Sequence, residues 1–102
     1  MPKYIATYDL KRTLPDPHAE FLKQARRHGG DFWLLGSDEI WRRLPNTTLH
    51  GVFPTIAAAK AAFDKVKAAT ESAIKIPVTV EKVFIGGYAA YHFSSDKRQR
   101  KK

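Results

Sequence analysis

An aspartate sits near the end of the chain's first apolar segment, Tyr4-Ile5-Ala6-Thr7-Tyr8-Asp9-Leu10. Aspartate is disfavoured in sheets, and a carboxylate among apolar residues must be hydrated, hydrogen-bonded or bound to a cation. Asp9 is therefore the first candidate catalytic and metal-binding residue. A single carboxylate, completed by waters and substrate phosphates, suits a hard divalent ion such as Mg²⁺. The structural alternative is a cap over, or an ion pair with, Lys11 or Arg12 in the following loop. A second grouping mixes rings with cations: Trp41, Arg42 and Arg43 are consecutive, and Trp33 and Tyr8 add further rings. Such a mixture suits single-stranded nucleic acid, whose bases stack on aromatics while guanidiniums hold phosphates. Core and cross-strand packing of the same aromatics is the alternative.

Other chemistries find less footing. The four histidines, His18, His28, His50 and His92, show no pair at metal-binding spacing on one element, and there is no cysteine, which excludes thiolate sites and disulfides. His50 is placed mid-strand, where it is an acid–base candidate or a surface histidine. Gly29-Gly30 and Gly86-Gly87 follow elements as stops and form no phosphate-cradling loop. Ser37, Ser94 and Ser95 lack the context of an activated nucleophile. Asn46-Thr47-Thr48 fits the glycosylation pattern, which has no bearing on an intracellular chain.

The net charge of +8, from 18 basic and 10 acidic residues, is unevenly placed. Asp96 to Lys102 holds Lys97, Arg98, Arg100, Lys101 and Lys102 against one acid, about half the excess. This segment lacks apolar anchors, so a disordered basic tail is expected over 94–102, after a single domain over 1–93. It is either a grip on a phosphate backbone or a solubilising end. No apolar run is long enough to span a bilayer and the N-terminus lacks a signal-peptide layout. A soluble, cytoplasmic protein with no membrane partner is the expectation.

The elements that must position these residues can be placed from pattern. Tyr4 to Leu10 alternates Tyr4, Ala6, Tyr8 and Leu10 with Ile5, Thr7 and Asp9, the period of a strand. Asp16 and Pro17 read as an N-cap and first helical residue, opening a helix to about His28 with a stripe of His18, Phe21, Leu22 and Ala25. Extended segments follow at 32–35, 40–44 and 47–53. Thr55 caps a second helix to about Ile74, with Ala59, Phe63, Val66, Ala69 or Thr70, and Ala73 inward. A last strand is expected over Val78 to Ile85, and Tyr88 to Phe93 fits a fifth strand or a dimer arm. The order is that of an α+β, ferredoxin-like βαββαβ domain: an antiparallel sheet, two helices on one face and an extra hairpin at 31–44. The sheet's other face is left for water, a ligand or a second subunit.

Tyr8-Asp9-Leu10, the helix after it, and Leu44 to Phe53 leading into an alanine-rich helix resemble the CRISPR-associated protein 2-like (virulence-associated protein D-like) superfamily, and most of all its stand-alone members. The resemblance spans about residues 3 to 85. It implies a ferredoxin-like homodimer in which the aspartate ending the first strand, here Asp9, lies near the dimer axis and binds a divalent metal to cleave RNA or DNA. The insertion at Asp31 to Glu39 departs from that pattern. Two functions stay open. One is a nucleic-acid-binding homodimer with metal-dependent endonuclease activity, in which Asp9 holds Mg²⁺ and Arg12, Trp41, Arg42, Arg43, Lys97, Arg98 and Arg100 hold the RNA or DNA. The other is non-catalytic, either a protein-interaction module or a basic RNA-binding module with no partner protein.

Overall fold

The computed structural model describes residues 1–100. Nine elements follow in order: β1 (Lys3–Leu10), α1 (His18–Arg27), β2 (Gly30–Asp31), β3 (Trp33–Leu35), β4 (Trp41–Arg43), β5 (Thr48–Val52), α2 (Ile56–Ile74), β6 (Val80–Tyr88) and β7 (Arg98–Gln99). They form an α+β fold with two antiparallel sheets, compatible with a ferredoxin-like class. The larger sheet runs β2-β5-β1-β6 and the smaller β3-β4-β7.

The alternation in β1 decides which side of the larger sheet the helices cover. Tyr8 and Leu10 are buried and Ala6 is partly so, whereas Thr7 and Asp9 are exposed. The buried set meets Phe21 and Ala25 of α1, Leu49 of β5, Phe63 and Val66 of α2, and Val78. Both helices thus pack on one face. Phe21, Tyr8 and Phe63 form an aromatic trio with centroid separations of 4.8, 5.4 and 5.8 Å, within the range where tilted ring pairs attract. Residues opposite Ile5, Thr7 and Asp9 in the register share the uncovered face: His50, Thr48, Gly86, Phe84 and Lys82.

The helices start and stop for local reasons. Thr55 accepts the amide of Ala58 at 3.1 Å, as a cap should. The α2 stripe turns on Thr70 rather than Ala69; Thr70 is fully buried because its hydroxyl donates to the Val66 carbonyl at 2.7 Å. Ile74 is partly buried and Ala73 exposed. At α1 the cap is displaced by one residue: Pro17 occupies the N-cap position, and Asp16 Oδ1 accepts the amide of His18 at 2.9 Å.

Three expectations are corrected. Gly86-Gly87 do not stop the last strand; they lie inside β6 opposite Ile5 and Tyr4. A Cβ at Gly86 would come within 3.0 Å of the Phe84 ring, so the glycine makes room for a neighbouring aromatic. The strand runs on to Tyr88, and Ala89 to Phe93 is not a strand. The segment after Ser94, expected to be disordered, returns to the smaller sheet. The Lys97 carbonyl accepts the amide of Arg43 at 3.0 Å, and β7 pairs with Trp41 and Arg42. Backbone pairing with β4 supplies the anchor that its side chains lack. Lys101 and Lys102 lie outside the described residues. The expected extra hairpin is present as β3–β4, with Trp33 opposite Arg43 and Leu35 opposite Trp41.

Candidate functional site

Asp9 ends the exposed row of β1, its side chain 58% exposed. Its ion pair is not with Lys11 or Arg12 but with Lys82, directly opposite on β6, at 4.0 Å. The shallow cleft beside it is lined by Thr7, Tyr8, Thr47, Lys82, Val83 and Phe84 and offers no second carboxylate. Among the described residues no three histidine, cysteine, aspartate or glutamate side chains converge. One carboxylate facing an ammonium does not fit a divalent cation within one chain, since such an ion wants several oxygen donors.

The cationic residues fall into two groups. Arg12 stands apart in the β1–α1 loop, where its Nε lies 3.4 Å from Asp16. The others meet on the β3-β4-β7 sheet. Arg42 is opposite Arg98 and Leu34, while Trp41 is opposite Gln99 and Leu35. Alternation therefore puts Arg42 and Arg98 on one face, and Trp33, Trp41 and Arg43 on the other. Like charges directly opposite each other destabilise a strand pair. Part of that repulsion is met inside the hairpin, where Arg42 holds Asp38 with two bonds of 2.9 and 2.8 Å. These bonds, with the amide of Ile40, hold the Asp38 carboxyl well below the usual carboxylate range. Arg42 is thus first a clamp on the Gly36–Ile40 turn. Lys97, Arg98 and Arg100 are exposed on the returning segment.

Arg43 is more enclosed. Its guanidinium lies 4.4 Å from the centroid of the Phe32 ring, and so does that of Arg26. Burial lowers the Arg43 pKa. Across from it stands Tyr8, which is only 4% exposed. Burial pushes the Tyr8 phenol up to about 12, with the Arg43 charge opposing.

Two features escaped the motif reading. The first is an Asp16–His18 pair: Asp16 Oδ1 contacts His18 Nδ1 as well as the His18 amide. The Asp-x-His spacing at a helix start was its only sequence signal, and the reading assigned both residues to capping and packing. The second is on the uncovered face, where the Tyr88 hydroxyl meets His50 Nδ1 at 3.1 Å. Asp31 is opposite His50 in the register and engages Arg26 at 3.4 Å. His50 was expected mid-strand and is there, but its partner sits in a strand whose extent was underestimated.

No helix among the described residues is long and apolar enough to cross a membrane. Compared with known proteins, the chain matches no family model, no curated sequence and no solved structure.

Proposed function

We propose that this protein is a ferredoxin-like, nucleic-acid-binding homodimer that holds single strands through the β3-β4-β7 sheet. The observation that carries the reading is the return of the C-terminal segment, which sets Arg98 opposite Arg42 and Lys97 against Arg43. Cations are thereby gathered on both faces of the small sheet, Arg42 and Arg98 on one and Arg43 with Trp33 and Trp41 on the other, at a cost in self-repulsion that a polyanion would relieve. Rings for bases and cations for phosphates then share one small sheet. The ferredoxin-like assignment rests on the order β2-β5-β1-β6 with both helices on one face. Kinship with the CRISPR-associated protein 2-like superfamily belongs to the same proposal and rests on the short motif at Tyr8-Asp9-Leu10.

The uncovered sheet face supports the dimer. Phe84 and Val52 are 66% and 44% exposed there, with Ile5 between their strands, an apolar surface of the kind that another subunit covers. A different protein partner is the second reading that this face favours. Light scattering separates the two: a dimer that Phe84→Asp converts to monomer supports self-association, and a wild-type monomer refutes it.

The binding test is fluorescence anisotropy with single-stranded RNA and DNA over about 50 to 200 mM salt, where each phosphate contact contributes roughly 0.7 to the log–log slope. The double variant Lys97→Ala, Arg98→Ala should weaken binding and reduce that slope by about 1.4. Absence of binding at the lowest salt, or an unchanged slope, refutes the proposal. Cleavage of either strand that appears with Mg²⁺ and vanishes in Asp9→Asn would add an activity that one chain's donors do not support.

A further inference from the structure

A cleft of about 330 Å³ lies among Tyr8 at the end of β1, His18 and Leu22 on α1, Arg43 on β4, and Asn46 and Thr47 in the β4–β5 link. We propose that this cleft binds a phosphate monoester, with Tyr8, Arg43 and His18 as its principal ligands. The natural source of that group, the phosphorylated end of a nucleic-acid strand, rests on the function proposed above; the cleft itself does not.

Tyr8 carries the argument. Its ring is immobilised between Phe21 and Phe63, yet no hydrogen bond joins its hydroxyl to any described residue. No buried side-chain oxygen or nitrogen among the described residues is sealed off without a partner, so the hydroxyl opens on the cleft. A ring this buried thus presents its hydroxyl to a solvent-reached cleft with no protein partner, which leaves the donor free for a ligand. Burial also keeps the phenol protonated, so it is a standing donor. Arg43 supplies the positive charge, and the Phe32 ring beneath it fixes the guanidinium. Arg43 Nη1 reaches the carbonyls of Phe32 and Leu44 only at 3.4 Å each, long contacts that a charged acceptor would outcompete. His18 is held at Nδ1 by Asp16, which leaves Nε2 as the nitrogen available to a ligand. Asn46 lines the same wall.

The chemistry selects the ligand. The wall holds the Arg43 cation, the Tyr8 phenol and the His18 imidazole, and no carboxylate; Asp16 is engaged by Arg12 and His18 and does not line the cleft. A terminal phosphate has three free oxygens for three donors, whereas a bridging phosphodiester has two. A larger, open cleft of about 770 Å³ shares Arg43 and Asn46 and continues past Ser94, Ser95, Asp96 and Lys97, its one carboxylate flanked by the Lys97 cation. A strand whose end occupies the first cleft can therefore run on along the second, toward the basic sheet.

The test compares one oligonucleotide sequence carrying a 5′-phosphate, a 3′-phosphate or hydroxyls at both ends, with inorganic phosphate and adenosine 5′-monophosphate as free-ligand probes. One phosphorylated end should bind about tenfold tighter or more than the hydroxyl-ended strand, the size of one charge-assisted hydrogen bond. Tyr8→Phe, which keeps the ring, and His18→Gln, on a partly exposed helix start, should each remove most of that preference while leaving hydroxyl-ended binding unchanged. Equal binding of all three strands overturns the proposal and leaves the nucleic-acid reading standing. If no strand binds but phosphate or the monophosphate raises the melting temperature of the wild type and not of Tyr8→Phe, the cleft stands and the nucleic-acid reading falls. Indifference to every probe removes both.

Discussion

Tyr8→Phe is also a stability experiment, and its sign is unusual. A buried tyrosine whose hydroxyl is hydrogen-bonded normally loses about 1 kcal/mol on conversion to phenylalanine. Here the ring contacts at 4.8 and 5.8 Å survive the change, and no described residue loses a partner. An unpaired buried hydroxyl costs about 1–3 kcal/mol, and access to the cleft places Tyr8 at the low end. The variant should therefore equal the wild type or exceed it by about 1 kcal/mol, at most roughly 4–8 °C in Tm for a chain this size. Alkaline pH supplies a second reading. The phenol pKa is raised from 10.0 in the unfolded chain to about 12 in the fold, chiefly by burial. Below the lower value both states keep the proton. Between the two values the unfolded chain ionises first, so stability falls as pH rises. At about 1.4 kcal/mol per pH unit above the lower value, the loss is on the order of 2 kcal/mol by about pH 11.5. Tyr8→Phe lacks that loss, and other tyrosines cancel in the difference between variants. Urea denaturation followed by far-ultraviolet circular dichroism, at about pH 7 and about pH 11.5, reads both effects. Destabilisation beyond about 1 kcal/mol at neutral pH, or parallel alkaline losses in the two proteins, would refute an unpaired, cleft-facing hydroxyl.

Three further outcomes are expected. Phe21 is fully buried at the centre of the aromatic trio, so Phe21→Ala should cost about 3–5 kcal/mol, a large part of a small domain's stability, in chemical denaturation. At Gly51 a Cβ would approach the Phe53 ring to 2.6 Å and the Gly29 carbonyl to 2.8 Å, whereas at Gly87 the closest atom is 3.5 Å away. Thermal melts should show Gly51→Ala destabilised by roughly 1–3 kcal/mol and by more than Gly87→Ala. Glu71 accepts the Val78 amide at 2.9 Å and pairs with Lys67, and that order of causes lowers its pKa. Its contribution is present above the ordinary carboxylate pKa of 4.5 and is lost as pH falls through the lowered value. Glu71→Gln should flatten the acid limb of stability against pH, and an unchanged limb would show that the contact contributes nothing.

Periodicity alone was enough to place β1, both helices, β5 and the β3–β4 hairpin, because each carries a local signature: alternation in Tyr4–Leu10, a stripe through Phe21 and Ala25, the Thr55 cap. Which row of β1 faces the core was not legible there, since Tyr8 and Ile5 are both apolar enough; the helices' own stripes settle it in three dimensions. The basic segment read as tail because it lacks apolar residues, yet its order comes from backbone hydrogen bonds to β4, which composition does not record. Gly86-Gly87 read as punctuation because glycine usually is, whereas here both lie inside β6 and Gly86 yields space to Phe84. Asp9 was conspicuous as a charge in an apolar run. Its pairing with Lys82 depended on register, a property of two strands seventy residues apart in the chain. The Tyr8, His18 and Arg43 cleft was invisible for the same reason. Residue type and spacing are local and survive in a linear string, but a site assembled from β1, α1 and β4 exists only once packing has brought those elements to one place.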